Sequence, residues 1–144
     1  MKLLIGLDLG TTALKVALFD SAGTLLAVSA KEYSLITPKV NFVEEDPEIY
    51  WKAFKDGLAD LKAQYPIQEQ DSLALAISAQ GETLLCIDKE GKSLRNAIVW
   101  MDNRAVKEAR EMEAQFGNET CYQVTGQVSF EPCWPAAKIL WLRR

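Results

Sequence analysis

Asp8 stands near the end of an apolar run, Leu3 to Leu9, and is followed by Gly10-Thr11-Thr12. A carboxylate in such a run is costly unless it is paired or close to a metal. Gly10 frees the backbone for a tight turn, and Thr11 and Thr12 add hydroxyls beside backbone N–H groups. Together these types suit a magnesium-bound phosphate chain, with Asp8 for the hydrated metal and the turn for phosphate oxygens. The same residues would also build a strand that ends in a polar hairpin turn. Two further polar groups follow, Gln80-Gly81-Glu82-Thr83 and Trp100-Met101-Asp102-Asn103-Arg104. The chain has no histidine, which excludes a Ser-His-Asp hydrolase and a His-ligated zinc site within it. Any proton transfer here would fall to carboxylates.

These groups need a scaffold, and 144 residues suffice for one domain with a real core. Hydrophobic residues at 49% and charged residues at 25% fit an ordinary globular class. A net charge of -4 argues against a general nucleic-acid surface. No apolar run approaches the roughly 20 residues that span a membrane. Lys2 with a short strand broken by Asp8 is also a poor signal peptide. Neither nucleic acid nor membrane is therefore expected as a partner. Cys86, Cys121 and Cys133 are odd in number and form no CxxC pair, which points to reduced thiols and a cytoplasmic setting.

The chain opens like a β-meander. The first strand reads as buried on both faces, a second runs from Ala13 to Asp20, and a third from Thr24 to Tyr33. Lys15 shares a face of the second strand with Ala13, Ala17 and Phe19, as a phosphate contact or a solvated lysine. Asp46 is a good N-cap and Pro47 a good first helical residue. The helix after it aligns Tyr50, Phe54, Leu58, Leu61 and Tyr65 on one stripe, with Glu48 and Lys52 as an i,i+4 pair. Leu73 to Ser78 is apolar enough for a strand inside the sheet. Leu84 to Asp88 and Leu94 to Trp100 read as a hairpin. Asp102 caps the next helix, which buries Ala105, Ala109, Met112 and Phe116 and stops at Gly117. Ala136 to Arg144 is a last helical run, whose Ile139, Leu140, Trp141 and Leu142 form an apolar cluster that no later element covers. The expected class is α/β with a mixed sheet flanked by helices.

The order of these groups resembles the N-terminal part of the FGGY family of carbohydrate kinases, within the actin, Hsp70 and hexokinase superfamily. The resemblance runs from Leu3 to the end and rests on Asp8-x-Gly10-Thr11-Thr12, Gln80-Gly81-Glu82-Thr83 and Trp100-x-Asp102-x-Arg104. It implies a ribonuclease-H-like (actin-like ATPase) domain occupying 1–144 and incomplete at its C-terminal end. The implied reaction is transfer of the ATP γ-phosphoryl group to a sugar, polyol or sugar-acid hydroxyl, with Mg2+ as cofactor and ATP as co-substrate. On that basis Asp8 would hold hydrated magnesium, and Gly10, Thr11, Thr12 and Lys15 would approach the phosphates. Gln80, Gly81 and Glu82 would take the acceptor, with Glu82 accepting from its hydroxyls or serving only as a turn acid. Trp100 would stack on a sugar face or be a buried strand-end residue, and Asp102 would be a helix cap first and a substrate contact second. The catalytic aspartate is implied to lie beyond residue 144. A small-molecule sugar or polyol and ATP are the implied partners, with the full-length protein a candidate homodimer.

The chain departs from its relatives in informative places. Glycerol kinases carry an arginine at Gly81, and xylulokinases a Met-His pair at Gly81-Glu82. A nucleotide-binding module of the same superfamily without sugar chemistry would share the phosphate turn. Nothing in it would require the Gln80 and Trp100 groups.

Overall fold

The computed structural model describes residues 1–144, Ser72 by its backbone alone. The chain forms two compact units, one of Met1–Leu35 and Asp46–Gln80, the other of Ile36–Glu45 and Gly81–Arg144.

The first unit is a four-stranded sheet with one helix. Strands β1 (Lys2–Leu9), β2 (Ala13–Asp20), β3 (Leu25–Glu32) and β5 (Ser72–Ala79) lie in the order β3-β2-β1-β5. β2 is antiparallel to β1 and β3, while β5 runs parallel to β1. The expected mixed sheet is therefore present. The β2–β3 turn is fixed by the Asp20 carboxylate, which accepts from the Ala22 and Thr24 N–H groups. Helix α1 (Pro47–Gln64) starts as the sequence predicts, with the Asp46 side chain accepting from Glu48 N at 3.0 Å. Leu3, Ile5 and Leu7 from β1, Leu14, Val16 and Leu18 from β2, and Ala53 and Leu61 from α1 form its core. Their alternation puts one face of the sheet under the helix.

Three expectations for this unit are corrected. β1 is buried on one face only, with Leu4 and Asp8 exposed on the other, because α1 covers a single side. β5 lies at the end of the sheet rather than inside it. Its Leu73, Leu75 and Ile77 stay exposed, since α1 packs over β2 and β3 rather than over β5. Lys52 pairs with Asp56 at 2.5 Å, not with Glu48.

In the second unit, β4 (Glu44–Glu45) pairs antiparallel with β6 (Ala97–Ile98). The expected hairpin closes around Asp88, whose N–H donates to Lys92 O at 2.9 Å. It is held by the single bridges Leu84–Ile98 and Ile87–Ser93 instead of two long strands. Helices α2 (Val106–Phe116), α3 (Asn118–Thr125) and α4 (Pro135–Leu142) follow. Gly117, at φ +75, separates the first two, a conformation that favours glycine. α4 packs on α2 through Ala105, Ala109 and Ala137, with Met112 and Trp141 alongside. Trp141 is thus half-buried rather than uncovered, edge-on to Phe42 at 5.8 Å. Phe116, expected in the core, is exposed and leans on Phe130.

Candidate active site

The Gly10-Thr11-Thr12 turn joins β1 and β2. Gly10 N donates to Ala13 O at 3.0 Å, and a Cβ at Gly10 would lie 2.9 Å from that oxygen. Only glycine fits there without a shift of backbone. Tyr33 closes the turn from behind, with its hydroxyl donating to Gly10 O at 2.6 Å and its N–H to Thr12 O at 3.0 Å. Thr11 is half-buried and Thr12 exposed. Asp8 and Lys15 are opposed in the β1–β2 register, both exposed on the face that α1 leaves open. That face holds a depression of about 400 Å³, lined by Asp8 and Lys15 with Gly6, Phe19 and Ser78 among others.

Gln80 follows β5 directly. Its N–H donates to Leu9 O at 3.0 Å, so the parallel pairing sets Gln80 beside the start of the phosphate turn. Its side-chain Nε2 donates to the Tyr50 hydroxyl at 3.2 Å, while its buried Oε1 has no partner among the described residues. Tyr50 in turn meets Tyr33 edge-on, with ring centroids 5.4 Å apart. Two tyrosines therefore link the carbonyl of Gly10 to the amide of Gln80.

In the second unit, Glu82 is exposed and its backbone is left-handed, φ +65. Thr83 Oγ1 accepts from Trp100 N at 3.0 Å, which ties this loop to the end of the β6 segment. Trp100 is exposed at 41%, an indole on the surface rather than a core residue. Lys138, wholly buried, donates to Val99 O at 3.0 Å, Glu82 O at 3.2 Å and Trp100 O at 3.4 Å. Gly81 has open space where a Cβ would stand.

Asp102 is wholly enclosed. Its Oδ1 accepts from Arg104 N and Nε, both at 2.9 Å, and its Oδ2 from Arg104 Nη2 at 2.8 Å and Val43 N at 2.6 Å. It is not the helix cap expected of it. The N-cap of α2 is Ala105, without a side-chain bond, because Asp102 is already spent on the turn before the helix. Arg104 also donates to Glu44 Oε1 at 2.7 Å and lies between Phe42 and Trp141, 4.0 and 5.0 Å from their centroids. Burial raises the Glu44 carboxyl, but hydrogen bonds from Arg104 and Asn96 and the charges of Arg104 and Arg95 outweigh it and leave it below its ordinary value.

Tyr33, Glu44 and Lys138 carry no local signal of these roles, and Tyr50 reads from its spacing only as part of the apolar stripe of α1. Each acts on a partner at least 23 positions away, and no local pattern carries that. Among the described residues no cluster of three or more His, Cys, Asp or Glu side chains could hold a metal, and no helix is long and apolar enough to cross a membrane.

The sequence profile of the FGGY family of carbohydrate kinases, N-terminal domain, matches residues 3–144. A xylulose kinase of Escherichia coli (strain K12) is 33% identical over 97% of this chain and 28% of its own length. A glycerol kinase of Aquifex aeolicus is 34% identical over 99% of this chain and 28% of its own. Among solved structures, a gluconate kinase from Lactobacillus acidophilus superposes with a TM-score of 0.88 at 33% identity, over 99% of this chain and 28% of that one. The chain thus spans little more than a quarter of the length of the relatives it matches.

Proposed function

Because this chain belongs to the FGGY family of carbohydrate kinases, we propose that its protein transfers the γ-phosphoryl group of ATP to a hydroxyl of a sugar, polyol or sugar acid. One observation carries the reading. The bond from Gln80 N to Leu9 O sets the start of the acceptor loop beside the phosphate turn on one edge of the sheet. Phosphoryl transfer is mostly positioning plus charge stabilisation, so donor and acceptor groups must be held by rigid neighbours.

In this reading the turn at Gly10, Thr11 and Thr12 takes phosphate oxygens, with Lys15 adding a positive charge. Asp8 fits a hydrated magnesium ion. It is an open carboxylate that no described cation holds within ion-pair range, and magnesium takes one or two carboxylates while keeping water and phosphate ligands. The ion, when bound, would neutralise charge on the phosphate chain. The Glu82 carboxylate accepts from acceptor hydroxyls, the Gln80 amide donates or accepts, and Trp100 offers its exposed indole to a sugar face. Asp102 acts through Arg104 and the Val43 backbone, as a support for the Trp100 segment.

The named relatives are kinases of xylulose, glycerol and gluconate. Gly81 stands where glycerol kinases carry arginine, which weighs against glycerol as the acceptor. The three cysteines are free thiols, in keeping with a cytoplasmic setting. No residue of the 144 is assigned as the base that takes the acceptor proton.

The test is a coupled ADP-release assay over ketoses, polyols and sugar acids, run on the full-length gene product and on residues 1–144. Acceptor-dependent turnover by the full-length product, with background from the shorter chain, is the expected result. Acceptor-independent ATP hydrolysis alone would overturn the sugar kinase reading in favour of a nucleotide-binding module.

A further inference from the structure

Lys138 is the largest of the fully buried side chains. It sits in the first half of α4, near the positive end of the helix dipole, where a buried cation is least welcome. No carboxylate lies within ion-pairing distance of it among the described residues. An ammonium group has three donors and no acceptor, and here three backbone carbonyls take them: Val99, Glu82 and Trp100. Burial pushes its pKa down, against the pull of Asp102, Cys133 and Glu82. A helix contact alone would be served by leucine or methionine at lower desolvation cost. The three carbonyls therefore call for another explanation.

Glu82 supplies it. Its backbone is in the left-handed region, φ +65, which a residue with a side chain adopts only when its surroundings hold it there. Beyond the Leu84–Ile98 bridge at its end, this loop is tied by the bond from Lys138 to Glu82 O and the bond from Trp100 N to Thr83 Oγ1. Both run to the Trp100 segment, Lys138 through the Val99 and Trp100 carbonyls.

We infer that Lys138 is a positioning residue for the acceptor: it clamps Glu82 in its left-handed conformation and locks that loop to Trp100, so that carboxylate and indole are presented as one fixed surface. This rests on the kinase reading above. Lys138 touches neither substrate nor nucleotide in this scheme. Its effect passes through Glu82.

The experiment uses the full-length gene product with Lys138→Met, which keeps the chain length but removes the donors. Two readouts separate the clamp from the kinase reading. Hydrogen exchange reads the clamp directly: the hydrogen-bonded amides of Leu84 and Trp100 should exchange about tenfold faster or more, while β1 keeps its protection. Steady-state kinetics reads its use: the acceptor KM should rise about tenfold, with the ATP KM within about twofold. In a Glu82→Ala background the same substitution should add less than about twofold, because the residue it positions is gone. If Lys138→Met does not fold, Lys138→Arg carries the test. It keeps the buried cation but substitutes a planar fork that cannot serve three carbonyls from one centre, and should show the same split.

Unchanged exchange at Leu84 and Trp100 would overturn the clamp. So would a lower melting temperature with acceptor KM unaltered, which is the signature of a core filler. A wild-type protein that phosphorylates no acceptor would end the kinase reading, and the exchange readout would still decide the clamp.

Discussion

Gln80 donates its backbone N–H to the Leu9 carbonyl at 3.0 Å, so the strand that leads into the Gly10-Thr11-Thr12 turn and the strand that leads into Gln80 are bonded at their ends. This follows from the parallel register of β1 and β5, in which Leu9 stands opposite Ala79. In open α/β sheets such carboxyl ends are where ligands bind. The side chains behind this edge, Tyr33 and Tyr50, suggest how it is kept rigid.

Tyr33→Phe removes the hydroxyl that donates to Gly10 O at 2.6 Å and keeps the ring against Tyr50. Loss of one such bond is worth about 0.5–1.5 kcal/mol, a factor of about two to ten. On the kinase reading, the expected outcome in the full-length gene product is a raised ATP KM with an unchanged acceptor KM. Equal changes in both constants would mean that Tyr33 supports the unit as a whole.

Gly57→Ala reverses the usual sign of a helix substitution. Alanine is the better helix former by about 0.8–1 kcal/mol, yet a Cβ here would lie 2.8 Å from Val16 Cγ2. Overpacking of this kind costs about 1–3 kcal/mol, so the variant should be the less stable in urea unfolding. A stabilised Gly57→Ala would show that α1 can move off β2 freely.

Asp102→Ala strips the Arg104 guanidinium of two hydrogen bonds in a fully enclosed site. Removing one member of a buried pair costs about 3–5 kcal/mol, and here Val43 N also loses its acceptor while Arg104 keeps only Glu44. Unfolding by denaturant should show a loss of that size. A loss below about 1 kcal/mol would mean that Glu44 and solvent can replace Asp102.

Glu44 predicts a pH dependence. Its folded pKa lies below the ordinary 4.5, so between those two values the unfolded chain binds more protons and stability rises with pH. Its contribution is complete above pH 4.5 and lost as pH falls through the folded value. Glu44→Gln should flatten the acid limb of a stability–pH curve, whereas an unchanged slope would assign that limb to other carboxylates.

Much of this molecule is legible in the sequence. The β-meander, the Asp46-Pro47 helix start and the Gly117 stop are local signals, and each sits where its chemistry predicts. Asp8 to Thr12, Gln80 and Glu82 are equally visible, since turn and strand residues announce themselves over short spans. The partners that hold them are another matter. Lys138 in an apolar helical run looks like an ordinary amphipathic residue until the Glu82 and Val99 carbonyls close on it. Asp102 looks like a cap because its type and place suit one, and only the arrival of Arg104 and Val43 N shows where its oxygens go. β5 reads as an interior strand because apolar composition reports burial potential, not which strands are present to realise it.

The most direct measurement is a pair of kinetic titrations on the full-length gene product, varying ATP and the preferred acceptor separately, for wild type, Asp8→Ala and Glu82→Ala. If the two loops hold the two halves of one phosphoryl transfer, Asp8→Ala should bring turnover down to background. Glu82→Ala should raise the acceptor KM by about tenfold or more while leaving the ATP KM in place. Wild-type turnover by Asp8→Ala, or acceptor kinetics untouched in Glu82→Ala, would contradict the assignment of these turns.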